Sequence, residues 1–249
     1  ILTHAWKLKL ITDVPRVSAP NVADKKHGVT SDTFASFTVD EYVTFSKSVD
    51  GLCNSPKLNR SDVKRRLEGL RFWIYLISNT GIRAQECYGL RWRDVQLQYD
   101  IDQDVNYTVI KITASVSKVG KPRTVIARDY DDTYKRAMRW RKYATWSDDD
   151  DLLFASRDDR EKTTKMYFLF KKHLKRLGLE LDSDGRRRTS TSLRHFYAEM
   201  RLKDNTSIYA LARNMGTSVS MIEQRYASAI HGWNLRNQLT SNLQRDLKK

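Results

Sequence analysis

The chain of 249 residues contains 40% hydrophobic and 30% charged residues, and it is long enough to bury a sizeable core. Its longest apolar stretch, residues 72–77, falls far short of the roughly 20 residues that cross a bilayer, which excludes a membrane-spanning protein. The 45 lysines and arginines exceed the 30 aspartates and glutamates by a net charge of +15. This surplus favours a polyanionic partner, nucleic acid above all, and no basic amphipathic helix points to a membrane surface.

Cysteine usage and the first residue indicate the setting of the protein. Cys53 and Cys87 are too few for a disulfide framework, and no signal peptide is recognisable. We therefore expect a reducing, intracellular environment. Because the first residue is Ile1 and not Met, we also expect a fragment of a longer protein, from which an N-terminal targeting signal can have been lost.

The first 36 residues predict a terminal segment and a linker. The apolar residues between Ile1 and Ile11 fit the end of a helix and, equally, a frayed terminus. Pro15, Pro20 and the polar residues 21–32 then predict a linker.

From Phe37 onward the pattern is mostly helical. Thr38 and Glu41 have the spacing of a capping box, which predicts the start of a helix. Ser61 starts a second helix that runs to about Asn79 with an apolar face, and a short helix follows over residues 83–90. Later helices are predicted over residues 129–143, 161–177, 192–202, 207–215 and 218–226, with a tail helix from residue 233.

One region between these helices is rich in β-branched and aromatic residues. Two such runs, at residues 107–116 and 125–126, flank Gly120 and predict a β-hairpin with its turn at Lys118–Lys121. Residues 148–151 predict an acidic surface loop, and residues 152–155 a short strand. The predicted fold class is therefore mainly α with a small antiparallel β-sheet, an α+β protein.

Three separated segments carry a family resemblance. The first is Thr-Gly-Ile-Arg-Ala-Gln-Glu at residues 80–86, followed by Leu90, Trp92 and Asp94, which we interpret as packing and capping the entry to the sheet. The others are residues 117–123 and the series 191–198, 214–218 and 224–226. Their types, order and spacing resemble the catalytic domain of the tyrosine recombinases, the phage integrase family.

The resemblance implies a domain organisation. Residues 1–36 would be the end of a preceding core-binding domain plus a linker, and residues 37–249 the catalytic domain with a tail helix at 230–249. Leucines recur every four residues in that tail, as in an amphipathic helix, and docking on a neighbouring subunit and packing on its own domain are equally open.

The resemblance also implies catalytic roles that suit the chemistry of a phosphodiester. Arg83 and Arg194 match the family's two arginines, and guanidinium groups can clamp the phosphate oxygens on which charge develops. Tyr226 matches the nucleophile that forms a 3'-phosphotyrosyl link. Lys118 matches the lysine that protonates the departing 5'-oxygen; Lys121 is its competitor, and Lys118 is preferred because it is predicted to end the first strand.

Four further residues are predicted to belong to the pocket. Glu86 lies one helical turn from Arg83 and can orient it. Thr191 and Thr217 stand where the family commonly has imidazole or indole side chains. Because threonine does not accept a proton near neutral pH, the sequence does not identify the general base. His195 is interpreted as a buried or supporting histidine, since residues adjacent on a helix do not share a face with each other.

Taken together, these residues predict a site-specific DNA recombinase or integrase of a mobile element in a prokaryote, acting in the cytoplasm at the nucleoid. The expected partners are double-stranded DNA attachment sites, with a homotetramer on paired sites, and no membrane. No cofactor and no catalytic metal are expected, because the histidines have no metal-ligand spacing. Two alternatives remain: a non-catalytic helix-turn-helix DNA-binding protein, suggested by the apolar residues and glycine of 208–222, and a type IB topoisomerase.

Overall fold

The computed structural model describes residues 35–56 and 60–226. Most of the predicted N-terminal segment and linker, and all of the predicted tail helix at 230–249, lie outside the described residues. The described α-helices are α1 (Val39–Cys53), α2 (Ser61–Thr80), α3 (Ala84–Cys87), α4 (Asp132–Arg141), α5 (Met166–Arg176), α6 (Ser190–Lys203), α7 (Ile208–Met215) and α8 (Val219–Tyr226).

The long helix α2 lies at the centre of the fold and contacts α1, α4, α5 and α6. A Cβ atom at Gly69 would lie 2.7 Å from the Met166 side chain and 3.2 Å from that of Trp140, so this glycine permits the close approach of α4 and α5. Helix α2 is capped at its C-terminus by Gly81, which adopts the left-handed conformation with φ of 66°. This ending turns the chain directly towards Arg83.

The local signals at the helix starts are confirmed in part. The Thr38 side chain caps α1 and Glu41 completes the capping box, as predicted. Helix α5 begins at Met166, later than predicted, because the backbone N–H of Thr164 donates to the carbonyl of Phe154 and that of Ser156 to the carbonyl of Lys162. The residues before Met166 therefore form a loop instead of a first helical turn.

The sheet is antiparallel, as predicted, but has three strands in the order β1 (Val95–Asp100), β2 (Val105–Ile112) and β3 (Arg123–Ile126). The register pairs Ile110 with Val95 on one side and with Val125 on the other. Strand β1 was not predicted. Leu90 and Trp92, just before it, are buried, and the Asp94 carboxylate accepts from the backbone N–H of Arg91, as expected of packing and capping residues.

The connection between β2 and β3 differs from the predicted hairpin turn. Strand β2 ends at Ile112, so the connection covers residues 113–122 and Lys118 does not end a strand. The backbone N–H groups of Val116 and Ser117 both donate to the carbonyl of Thr113, and this turn ends the strand earlier than its composition suggests. The prediction that Lys118 ends the first strand was therefore wrong, and this feature does not distinguish Lys118 from Lys121.

Two local predictions near residue 150 need correction. Asp148 to Asp150 are exposed, but Asp151 is buried, where its carboxylate accepts hydrogen bonds from the Asp148 backbone and the Arg160 side chain. Residues 152–155 are buried but form only isolated bridges, Arg91 with Leu152 and Ala155 with Thr163, and no strand. Residues 152–155 are therefore buried as part of a loop and not as a strand of the sheet.

Helix α6 borders two separate apolar clusters. Its residues Leu193 and Phe196 belong to the large core around α2. Tyr197 and Ala198, the next residues, belong to a smaller cluster that α6 forms with α7 and α8. The apolar residues that suggested a helix-turn-helix are buried mainly in this second cluster. Helix α6 therefore links the main core to the helix that carries Tyr226.

Candidate active site

A pocket of about 790 Å³ opens where α3, α6, α8 and the β2–β3 connection meet. Seven of the eight predicted site residues line it, and the eighth, His195, lies behind it in contact with Tyr226. The seven are Arg83, Glu86, Lys118, Thr191, Arg194, Thr217 and Tyr226.

Arg83 is held by hydrogen bonds from its backbone N–H and from its guanidinium group. It precedes α3, and its backbone N–H donates to Oε2 of Glu86 at 2.9 Å while its Nη1 donates to Oε1 of the same residue at 3.1 Å. Its Nη2 donates to the carbonyl of Gly216 at 2.7 Å. Glu86 thus orients Arg83, as the one-turn spacing suggested, and about a fifth of the arginine side chain remains exposed to the pocket.

Arg123 is a site residue that the sequence analysis did not identify. Its two terminal nitrogens donate to both oxygens of Glu86 at 2.9 and 2.7 Å, and its Nε donates to the carbonyl of Asn214 at 3.2 Å. A Cβ atom at Gly216 would lie 2.7 Å from the Arg123 guanidinium carbon, so this glycine makes room for the ion pair. The sequence signal for it was the position of Arg123 at the end of the second segment that resembles the family, residues 117–123.

The charge state of Glu86 follows from these partners. Its burial alone raises the pKa, but hydrogen bonds from Arg123 and from the Arg83 backbone, with the charges of both arginines, hold the pKa below its ordinary value. The buried carboxylate is therefore ionised and lies between two guanidinium groups. Because it neutralises only part of their charge, the pocket keeps a positive surplus.

Arg194 approaches the pocket from α6. Its Nη1 donates to the carbonyls of Gly81 and of Met215, the latter at 3.0 Å. Burial, and next the positive charge of Arg83, lower the pKa of Arg194 to about 10, which still leaves it protonated at neutral pH. A desolvated guanidinium beside a second one favours an anion in the pocket, because an anion stabilises both charges.

Tyr226 ends α8 and is 4% exposed. Its hydroxyl lies 2.6 Å from Nδ1 of His195, which is itself 3% exposed. His195 is buried, as predicted; in addition, it touches the predicted nucleophile, although Arg194 next to it faces the pocket. Burial, and then the charges of Arg225 and Arg194, lower the pKa of His195 to about 4, so the imidazole is neutral at pH 7.

The remaining predicted residues, Lys118, Thr191 and Thr217, also line the pocket. Lys118 is exposed and lines the pocket, whereas Lys121 is exposed and is not among the lining residues. Thr191 is in the first turn of α6 and Thr217 follows the left-handed Gly216. Neither threonine can take a proton from Tyr226.

The described residues contain no group of three or more histidine, cysteine, aspartate or glutamate side chains that could hold a metal ion. Among the same residues, no helix is both long and apolar enough to cross a membrane.

Comparison with known proteins gives the family. The sequence model of the phage integrase family matches residues 58–231, well over half of the chain. No curated protein matches the sequence.

Solved structures give the fold, all at low sequence identity. The XerH site-specific recombinase bound to difH substrate is 20% identical, with a TM-score of 0.54 over 80% of this chain and 53% of that one. The XerA recombinase is 19% identical, with a TM-score of 0.53 over 85% and 65%. The Tn1549 transposon integrase in complex with circular intermediate DNA is 16% identical, with a TM-score of 0.52 over 89% and 70%.

The chain thus spans between about half and two thirds of the XerH and XerA chains. The family match covers the three segments that resemble tyrosine recombinases, and the mostly helical fold with its small antiparallel sheet agrees with these neighbours. The chain belongs to the phage integrase family, and its described residues have the catalytic-domain fold of the tyrosine recombinases.

Proposed function

We propose that this chain is the catalytic domain of a site-specific recombinase that breaks and rejoins DNA through a covalent 3'-phosphotyrosyl link at Tyr226. One observation carries the proposal: Arg83, Arg194 and Tyr226 come from three distant segments of the chain and line the same pocket. A lone surface arginine or a core tyrosine has ordinary structural explanations. Their convergence with an ionised, buried Glu86 favours a phosphate site.

The reaction follows from the placement of these groups. The scissile phosphate binds against Arg83 and Arg194, whose hydrogen bonds strengthen as negative charge develops on its oxygens. The Tyr226 oxygen attacks phosphorus, the bond to the 5'-oxygen breaks, and Lys118 donates a proton to that oxygen. Because the phosphotyrosyl link keeps the bond energy, the reverse reaction rejoins a strand without another energy source.

The substrate and assembly are part of the proposal. The XerH and Tn1549 structures hold DNA, and the net charge of +15 of this chain supports double-stranded DNA attachment sites as its partner. Recombination joins two duplexes, so we propose a homotetramer on paired sites that integrates or excises a mobile element. Its place of action would be the prokaryotic nucleoid.

Covalent trapping tests the proposal. The probe is a duplex selected from a randomised pool by binding to this chain, with nicks at successive positions so that the cleaved fragment diffuses away. Wild-type protein should form a product of reduced mobility on a denaturing gel, and Tyr226→Phe should form none while binding the duplex normally. Tyr42→Phe removes a hydroxyl bonded to Ser78, and neither residue lines the pocket, so this variant should leave the yield unchanged.

The same assay separates the alternatives. Binding without any wild-type adduct would favour the non-catalytic DNA-binding protein, and relaxation of supercoiled DNA without paired sites would favour a topoisomerase.

The proposed cleavage needs no metal ion. Chelation with EDTA should leave the yield of adduct unchanged, since the arginines and Lys118 stabilise the charges that a metal ion stabilises in other phosphoryl-transfer sites. Loss with EDTA and recovery with magnesium would contradict the metal-independent mechanism.

A further inference from the structure

The proposed attack leaves one proton without a named acceptor. A phenol with a pKa of about 10 is protonated at neutral pH, and its proton must leave as the oxygen bonds to phosphorus. Thr191 and Thr217 line the pocket, but a hydroxyl does not accept a proton in this range. Glu86 is occupied by Arg83 and Arg123. The acceptor must therefore be another group within reach of Tyr226.

His195 has the position that an acceptor requires. Its Nδ1 lies 2.6 Å from the Tyr226 hydroxyl, within the distance for direct proton transfer. Both residues are almost fully buried, and their rings pack at a centroid distance of 5.5 Å, so the contact is fixed by packing as well as by the hydrogen bond. For Nδ1 to accept, the ring proton must reside on Nε2.

The surroundings of His195 keep its imidazole neutral. Burial lowers the pKa of His195, and the charges of Arg225 on α8 and of Arg194 on its own helix lower it further. The neutral ring has one unprotonated nitrogen at working pH, although burial and both arginines disfavour its protonation while the pocket is empty. A phosphate bound at Arg194 adds a negative charge nearby, which favours the protonated ring at the moment when the proton is transferred.

We propose that His195 is the general base of the cleavage step and takes the Tyr226 proton on Nδ1, a duty that Thr191 cannot perform. The inference rests on the proposed function. In the step, the Tyr226 oxygen forms its bond to phosphorus and its proton moves to His195. The phosphorus bond to the 5'-oxygen breaks and Lys118 supplies the proton to that oxygen. Religation returns both protons by the reverse path.

The dependence of cleavage on pH tests this assignment. The probe is the trapped duplex with sulfur in place of the 5'-oxygen at the mapped scissile position, because a thiolate leaves without a proton and removes Lys118 from the measurement. His195→Asn places an amide near the position of Nδ1, so it keeps a hydrogen-bonding group but cannot take up a proton. Single-turnover cleavage should fall about 100-fold at pH 7.

The two pH profiles should differ in shape. Wild-type cleavage should be nearly constant from pH 6 to 8.5, because the imidazole is already neutral. Cleavage by His195→Asn should rise about tenfold per pH unit, because hydroxide must then ionise the tyrosine. His173→Asn, a change at a buried histidine that packs against Phe45 of the large core, should keep the flat wild-type profile. A flat profile and an undiminished rate for His195→Asn would overturn the proposal.

A second measurement does not depend on the variant folding. The ¹⁵N shifts of His195 in the wild-type protein, assigned by comparison with Tyr226→Phe, should report a neutral ring with its proton on Nε2 between pH 6 and 8. A ring protonated on Nδ1 would contradict the proposal, since such a ring donates to Tyr226. Absence of any wild-type adduct would instead refute the proposed function, and the assignment of His195 would fall with it.

Discussion

The two sides of the pocket are held by different interactions. Arg83 and Arg194 are fixed by charge and by backbone carbonyls, with the ionised Glu86 shared between Arg83 and Arg123. Tyr226 is instead positioned by the small apolar cluster of α6, α7 and α8, together with its contact to His195. The phosphate-binding side therefore depends on directional bonds, and the nucleophile side on packing.

This difference separates the expected consequences of mutation. Loss of a directional group removes an interaction with the transition state and changes the chemistry strongly. Loss of a methylene from the small cluster shifts the tyrosine slightly and changes the rate only a little. Four predictions test this contrast.

The largest effects are expected at the arginines. Arg83→Ala and Arg194→Ala should each slow single-turnover cleavage about 1,000-fold while weakening DNA binding much less, since their bonds strengthen in the transition state. Arg139→Ala, which removes a half-exposed partner of Glu68 away from the pocket, should cleave at the wild-type rate. Equal losses of binding and cleavage would identify Arg83 and Arg194 as simple phosphate anchors.

A smaller effect is expected at Lys118. Lys118→Ala should slow cleavage of the normal duplex about 100-fold, because no group then protonates the 5'-oxygen. A duplex with sulfur at that position should restore most of the rate. Lys121→Ala should cleave both duplexes normally, and a sulfur-rescued loss in Lys121→Ala would instead assign the proton donor to residue 121.

Glu86 tests the charged network behind Arg83. Glu86→Gln should slow cleavage about tenfold and destabilise the fold by about 3 kcal/mol, because it leaves two partly buried guanidinium groups without their counter-charge. The folded pKa of Glu86 is lowered, so its contribution to stability is complete above its ordinary value of 4.5 and is lost as pH falls through the folded pKa. Acid unfolding curves should therefore slope less steeply below pH 4.5 in Glu86→Gln than in the wild type.

The smallest effect is expected from packing beneath the tyrosine. Ile222→Val removes one methylene from the small cluster and should cost about 1 kcal/mol of unfolding free energy and slow cleavage two- to threefold. Ile74→Val makes the same change in the large core and should cost similar stability with an unchanged cleavage rate. Identical cleavage by the two variants would show that packing in the small cluster does not position Tyr226.

Much of the fold could be predicted from local sequence signals. The capping box at Thr38 and the apolar face of α2 predict their helices correctly, because caps and periodicity act within a few residues. Strand β1 was missed although Val95, Leu97 and Tyr99 alternate with polar residues, a pattern typical of a strand. Its middle residues are nevertheless all exposed, and β1 is held by its pairing with β2 and not by burial of one face.

The sequence predicted which residues form the site but not which of them contact each other. The resemblance to tyrosine recombinases identifies Arg83, Arg194 and Tyr226, and all three line one pocket. The hydrogen bond between His195 on α6 and Tyr226 on α8 joins residues that are 31 positions apart, and no helical spacing within α6 could predict it. Arg123 was missed for a similar reason, since its partner Glu86 lies on a different element.

The central claim is that Tyr226 forms the covalent bond to DNA, and peptide mapping of the trapped adduct tests it most directly. Trypsin cleavage at Arg225 and Arg236 yields a peptide of residues 226–236 whose sole tyrosine is Tyr226. Mass spectrometry after nuclease digestion should find the residual nucleotide on this peptide. A nucleotide on any other tyrosine-containing peptide, or on a serine, would contradict the account.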